Sequence, residues 1–309
     1  MKRQKVVAIV GPTCTGKTAL SLQIGRKIPA EIISCDSRNV YKYFDIGTAK
    51  PSKGEQAEIN HHFIDVVEPD QDFTAAQFAR EGSRLIEEIC ARGKLPIVCG
   101  GTGFYARALL EGLSIPEVPP QKELRESLQK EEDNDHGLLH RRLSELDPIT
   151  AQRLNPNDRF RLVRALEVCL TTGKTFSELA RAVEAPFDVL WIGLSIRDRE
   201  KLKVLIKSRV DQMILSGMLD EVKDLCARFG RSQKIMNTVN YRDLCKYLAG
   251  ELSYDDALIE VYRHNYQLAR RQMMWFKTNP KLSWFYVDES SREKIELEAF
   301  ELIDQFILQ

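Results

Sequence analysis

The amino-acid sequence predicts an α/β fold: a parallel sheet flanked by helices, with an all-helical domain inserted into it. Three observations carry that expectation. Short apolar runs such as Val6–Val10 and Leu95–Cys99 alternate with helix-length stretches, the order of strand and crossover helix that a parallel sheet needs. The first run leads into Gly11-Pro12-Thr13-Cys14-Thr15-Gly16-Lys17-Thr18, which matches G-x-x-x-x-G-K-[ST] between a strand and the helix-like stretch Ala19–Lys27. Between residues 114 and 187 the strand-like runs cease and helix-like segments continue. Together these give a P-loop NTPase-like core over 1–113 and 188–309, interrupted by a helical insertion over 114–187.

Each element follows from its own residues. Glu31–Cys35 is an apolar run ending in Asp36-Ser37 and reads as the second strand. It delivers Asp36 to the edge that holds the glycine loop, because open α/β sheets bind ligands at the carboxyl ends of their strands. Residues 38–60, punctuated by Gly47, Pro51 and Gly54, read as an ordered loop, and Phe63–Val67 as a further strand. Ala75, Phe78, Leu85, Ile86 and Ile89 have helix spacing, with Gly93 as the stop. Leu95–Cys99 is a buried strand that Gly100-Gly101-Thr102-Gly103 turns into a helix over Phe104–Leu110. Pro116, Pro119 and Pro120 open the insertion, where Gly137, Pro148, Pro156 and Gly173 act as stops among helices over 121–181. Asp188–Leu194 restores the strand pattern, helices run to Lys277 with breaks at Gly217, Gly230 and Gly250, and a strand at Leu282–Val287 precedes a last helix.

Composition narrows the function classes only a little. A chain of 309 residues, 43% hydrophobic, has enough apolar surface for a real core. Lysine plus arginine balance aspartate plus glutamate at 45 each, so bulk charge neither requires nor excludes a nucleic-acid partner. Seven cysteines without a C-x-x-C pair fit reduced thiols in a cytoplasmic protein better than a disulfide framework or a zinc site. No apolar run approaches the ~18 residues of a membrane span, and the basic start runs straight into the first strand, leaving no room for a cleavable signal.

The glycine loop is a phosphate cradle. Its backbone N–H groups converge on phosphate oxygens, the helix N-terminus adds partial positive charge, Lys17 adds a full charge, and Thr18 is placed to reach a metal ion. Most such loops serve nucleoside triphosphates, yet the guanine motif N-K-x-D is absent. The strand Ile97–Cys99 ends in Gly-Gly-Thr, where an ATPase usually places a metal-holding aspartate. Asp36 is the aspartate left at a strand end, to serve as metal ligand or as base.

At this point a resemblance carries further. Beyond the loop, the stretches Asp36-Ser37, Asp45-Ile46-Gly47-Thr48-Ala49-Lys50-Pro51, His62-Phe63-Ile64-Asp65, Gly100-Gly101-Thr102 with Tyr105, Asn157-Asp158 with Arg161 and Arg164-Ala165-Leu166-Glu167, and Ala269-Arg270-Arg271-Gln272 with Trp275 resemble the tRNA dimethylallyltransferases, in the family order and over nearly the whole chain. The resemblance implies transfer of a dimethylallyl group from dimethylallyl diphosphate to the N6 amine of the adenosine just 3′ of the anticodon, with Mg²⁺. It implies that Gly11–Thr18 binds the diphosphate, with Thr18 toward the metal, that Asp36 is the general base and Arg209 a diphosphate-binding arginine, and that Thr102 contacts the target nucleotide. It implies tRNA contacts at Asp36, Ser37, Arg38, Asn39, Thr102, Arg125, Phe160, Arg161, Leu162, Val163 and Arg164. The chain departs from the family at Asn240, usually glycine, at Asn265-Tyr266, usually Thr-Arg, and at Phe160, commonly glutamine.

Plainer readings stand beside these. Asp36 can cap its own turn. Arg161 and Arg164, one helical turn apart and near Arg153 and Arg159, can be a solvated helix face or a phosphate-contact stripe. His61-His62 and His136 with His140 lack the cysteine or carboxylate that would complete a zinc set. Trp275 and Phe276 read as core. The competing functions are a small-molecule or nucleotide kinase, an adenylate prenyltransferase acting on AMP, and a nucleic-acid-binding module without catalysis. A monomer is expected.

Overall fold

β1 (Lys5–Val10) runs through the middle of the sheet, and Val6–Val10 are fully buried. An unbroken apolar run without polar alternation is what a strand covered on both faces requires. After it come α1 (Lys17–Lys27), β2 (Ala30–Ser34), α2 (Lys53–Glu58), β3 (His61–His62), α3 (Ala75–Ala91), β4 (Leu95–Gly100) and α4 (Gly103–Leu110). The helical stretch holds α5 (Lys122–Asn134), α6 (Leu138–Leu146), α7 (Pro148–Arg153), α8 (Arg159–Thr172) and α9 (Phe176–Leu179). The chain then returns through β5 (Asp188–Ser195), α10 (Arg199–Leu215), α11 (Met218–Phe229), α12 (Tyr241–Leu248), α13 (Tyr254–Phe276), β6 (Leu282–Tyr286) and α14 (Arg292–Leu308). This computed structural model describes residues 3–180, 184–231 and 234–309.

The six strands pair in the order β3-β2-β4-β1-β5-β6, and every pairing is parallel. Val7 lies between Ile97 of β4 and Leu190 of β5, which sets the register at the centre. One face is covered by α1 and α14: Leu20, Ile24, Ile295 and Ile303 pack on Val7, Ile9, Ile32 and Ile97. The alternate residues Val6, Ala8, Ile33 and Val98 are equally buried, and α3 packs against β2 and β4.

Two local expectations need correction. The stretch 38–60 is not all loop, because Ser52 accepts from the Glu55 N–H while the Glu55 side chain accepts from the Ser52 N–H, and this capping box nucleates α2. The strand expected at Phe63–Val67 is instead the two residues of β3. Phe63 and Asp65 have φ of 60° and 55°, which is incompatible with extended backbone, and Val67 makes an isolated bridge to Tyr41.

Glu31 on β2 is a charged group in the sheet, 3% exposed at its side chain. It accepts from His62 Nε2 (2.7 Å), Arg92 (2.8 Å), Lys94 (3.0 Å) and Asn60 (3.0 Å). Burial alone would raise its pKa, but these donors hold it down at about 2. His62 is thereby committed to a carboxylate partner.

The chain divides into two compact units, residues 1–106 with 186–309 and residues 107–185. The second is built on Leu128, Leu139, Leu143, Leu162 and Leu166. Pro148 there opens a helix as well as closing one: Asp147 caps α7 by accepting from Thr150 N–H, and proline at the first helical position has no N–H to lose. Among the described residues no helix is long and apolar enough to cross a membrane.

Candidate active site

β1 delivers the chain into the glycine loop, and the loop is shaped before any ligand arrives. Gly11 has φ 141°, and a Cβ there would lie 2.1 Å from the Leu194 carbonyl oxygen, so no other residue fits. Gly16, at φ 83°, precedes α1, and no side chain caps that helix, which leaves its first-turn N–H groups for an anion. Thr15 Oγ1 and Lys17 Nζ both donate to the Pro12 carbonyl, at 2.9 and 2.5 Å. From α13, Gln272 Oε1 accepts the Thr13 N–H at 2.8 Å. Desolvation pushes the Lys17 ammonium from 10.5 down to about 8, with the Arg209 charge adding to that and Cys99, Cys14 and Asp36 opposing it. A phosphate in the loop would restore the charge that enclosure disfavours.

The ends of β2 and β4 are laced together opposite the loop. Cys35 N–H donates to Cys99 O (2.8 Å), Thr102 N–H donates to Cys35 O (3.1 Å), and Ser37 N–H donates to Thr102 Oγ1 (3.1 Å). Asp36 follows directly. Its Oδ1 accepts the Arg38 N–H at 2.8 Å, so the turn-capping role is real, and the same side chain lines the cavity. That cavity, of about 710 Å³, is lined by Thr13–Thr18, Asp36, Ser37, Arg38, Asn39 and Gly100–Thr102, together with Arg209 of α10. The Thr18 side chain is exposed to it. Asn39 is 7% exposed, and its Oδ1 has no hydrogen-bond partner among the described residues. Gly11 and Pro12, the first residues of the loop, are buried.

The expected RNA-contact residues of the helical unit divide sharply. Leu162 (0% exposed) and Val163 (4%) have side chains in the core, so any contact they make with RNA would run through their backbone. Arg125 is bidentate on the fully buried Glu167 at 2.7 and 2.7 Å. Arg164 donates to Glu167 (2.6 Å) and to the Val118 and Pro116 carbonyls. Burial would raise the Glu167 pKa, but Arg125, the Gln121 N–H and Arg164 outweigh it and hold the carboxyl below its ordinary range. Arg125 and Arg164 therefore knit this unit together. Phe160, 79% exposed, and Arg161, 64% exposed at its side chain and paired among the described residues with its neighbour Asp158, remain open to a partner.

Residues 39–279 match the family model described as IPP transferase. The chain belongs to the IPP transferase family. It is 43% identical to a tRNA dimethylallyltransferase of Symbiobacterium thermophilum, covering 90% of this chain and 88% of the relative, and 41% identical to one of Desulfatibacillum aliphaticivorans, covering 96% and 98%. Among solved structures, a tRNA isopentenylpyrophosphate transferase of Bacillus halodurans superposes with a TM-score of 0.74 at 33% identity, covering 98% of this chain and 97% of that one. A eukaryotic dimethylallyltransferase, described as acting on tRNA, superposes at 0.81 with 28% identity, covering 98% and 80%.

In this IPP transferase the motif Asp45–Pro51 is a framework for the cavity wall. Glu221 of α11 accepts the backbone N–H groups of Asp45 (3.1 Å), Ile46 (2.8 Å) and Gly47 (3.1 Å), and also the Tyr241 hydroxyl (2.7 Å). A Cβ on Gly47 would come 2.6 Å from the Tyr241 ring. Lys50, 3% exposed at its side chain, donates to Tyr41 O, Asp45 and Asp65. Nothing in the sequence singles out Glu221, since the backbone it holds lies about 175 residues away.

Asn240 and Asn265, two positions at which the resemblance to the family breaks, meet in space. Asn240 sits at φ 80°, where glycine is at ease, and donates to Gly47 O at 2.7 Å. Asn265 of α13 donates to Asn240 Oδ1 at 2.6 Å, so one asparagine supports the other at the cavity edge. Beside them Asp243, Glu260 and His264 lie close enough to share a cation. Guanidinium groups already fill that place: Arg242 contacts Asp243 and His264, and Arg263 pairs with Glu260. Phe276 is core, and Trp275 packs against Phe104.

Proposed function

We propose that this IPP transferase moves a dimethylallyl group from dimethylallyl diphosphate to the N6 amine of the adenosine 3′ of the anticodon in tRNA, giving N6-dimethylallyladenosine. One observation carries the reading: an anion cradle with a half-buried cation, and a strand-end carboxylate beside a hydroxyl, line the same cavity. The N–C bond forms at the allylic carbon as the C–O bond to diphosphate breaks. Negative charge gathers on the leaving diphosphate, where the loop N–H groups, Lys17 and Arg209 stabilise it.

An exocyclic adenine amine is a weak nucleophile because its lone pair is delocalised into the ring. Asp36 accepts its hydrogen bond and then its proton. Thr102 and the unsatisfied acceptor of Asn39 hold the base. The Thr18 hydroxyl is the hard oxygen donor that Mg²⁺ prefers, and it would hold an ion that, when bound, neutralises diphosphate charge. Residues 107–185 act as the RNA-gripping unit through Phe160 and Arg161, and the enzyme works as a cytoplasmic monomer.

The deciding experiment incubates the protein with unmodified tRNA and labelled dimethylallyl diphosphate, and then with ATP. Label appearing on N6 of that adenosine is the expected result. Phosphoryl transfer from ATP, with no label in tRNA, would overturn the reading in favour of a kinase.

A further inference from the structure

Away from the cavity, the fold brings together two of the seven cysteines. Cys226 of α11 and Cys245 of α12 are 19 residues apart in sequence, and their Sγ atoms approach to 3.5 Å. Cys226 is half-buried and reachable, whereas Cys245 is 4% exposed. We infer that the pair is a redox-modification site, a dithiol that low-molecular-weight disulfides such as oxidised glutathione convert to an intramolecular disulfide joining α11 to α12.

The required movement is small. A disulfide needs its sulfurs about 2.05 Å apart, so the pair closes by roughly 1.5 Å. The order of attack follows from access. Burial first, then its hydrogen bond to Cys226, pushes the Cys245 thiol up to about 12, against the lowering effect of Arg231. Cys226 therefore meets the reagent. Its thiolate attacks one sulfur of the external disulfide and releases one thiolate, forming a mixed disulfide. Cys245 then gives up its proton as it attacks the Cys226 sulfur, and the second thiolate leaves. Two protein thiols are oxidised, and one external disulfide is reduced to two thiols.

The location gives the bond a consequence. α11 carries Glu221, which holds residues 45–47, and α12 starts at Tyr241, between the cavity-lining residues Asn240 and Arg242. A covalent link there ties together the elements of one cavity wall.

The test treats the reduced full-length protein with oxidised glutathione, then counts thiols and maps peptides by mass spectrometry. The expected result is loss of two of the seven thiols, one cross-linked peptide pair containing Cys226 and Cys245 with a mass lower by two hydrogens, and full reversal by dithiothreitol. Cys226→Ser, at a half-exposed position, is expected to keep its remaining Cys245 thiol free under the same treatment, and Cys245→Ser to hold a lasting glutathione adduct at Cys226. A lasting adduct at Cys226 in the wild type, a cross-link to a different cysteine, or no loss of thiols would each overturn the assignment.

Discussion

At the scale of single residues, the chemistry concentrates in Asp36 and Lys17. Asp36→Asn keeps the hydrogen bond from the Arg38 N–H but removes the proton acceptor, so diphosphate binding is expected to survive while transfer falls by ~10² to 10⁴-fold. Calorimetric titration with diphosphate and single-turnover transfer rates measure the two separately; near-normal transfer would reassign Asp36 to metal binding or to its turn. Lys17 makes a pH-dependent prediction. Its folded pKa of about 8 lies below the 10.5 of an unhindered lysine, so the native state gives up this proton first. Its cost to folding is fully present below pH 8 and fades as pH rises toward 10.5, because the unfolded chain then binds more protons than the native one. A phosphate in the loop raises the pKa again, so binding takes up protons near and above pH 8 and weakens as pH rises further. Calorimetry in two buffers of different ionisation enthalpy reads this directly, and Lys17→Met is expected to abolish the uptake.

At the scale of elements, buried carboxylates organise what the backbone leaves undecided. Glu31 ties β2 to β3 and β4, and its pKa is depressed to about 2 from 4.5. Its contribution is complete above pH 4.5 and is lost as pH falls through 4.5 to 2. Glu31→Gln is therefore expected to lower stability at pH 7 and to flatten the acid limb of a pH–Tm profile. Glu167 does the same for α5 and α8, and Glu167→Gln is expected to cost roughly 3 kcal/mol in a denaturant titration, since it strands Arg125 and Arg164 beside a group that no longer balances them. These ties also mark where sequence reading stops. The loop Gly11–Thr18, the helix α1 that follows it and the strand that leads to Asp36 are written in local pattern and are legible there, whereas α2 is not. Glu221 on the 45–47 backbone, Asn265 on Asn240 and Cys226 beside Cys245 join residues 19 to 176 positions apart, so no periodicity announces them. The same limit explains Arg164: its spacing from Arg161 suggested a shared phosphate stripe, but a buried partner three residues on claims it.

At the scale of the whole molecule, a cavity of about 710 Å³ is ample for a small substrate, yet the chain also carries a 107–185 unit with its own core. The reading that accounts for both is a large acceptor, an RNA stem-loop gripped by its phosphates while the target base is extruded toward Asp36 and Thr102. Phosphate contacts release counterions, so binding is expected to weaken steeply with salt. Arg161 is open and loosely held, and Arg161→Ala is expected to leave the fold intact while making the slope of log K against log salt shallower by about 0.7 to 0.9. Arg164→Ala is expected to behave differently, lowering Tm with little specific change in that slope, because its guanidinium is spent on Glu167 and two carbonyls. Free AMP, with one phosphate and no stem, is expected to be a far poorer acceptor than an anticodon stem-loop. Filter binding across a salt series, paired with transfer assays on both acceptors, decides the matter: equal prenylation of AMP and stem-loop with salt-insensitive binding would sink the tRNA assignment and leave an adenylate prenyltransferase.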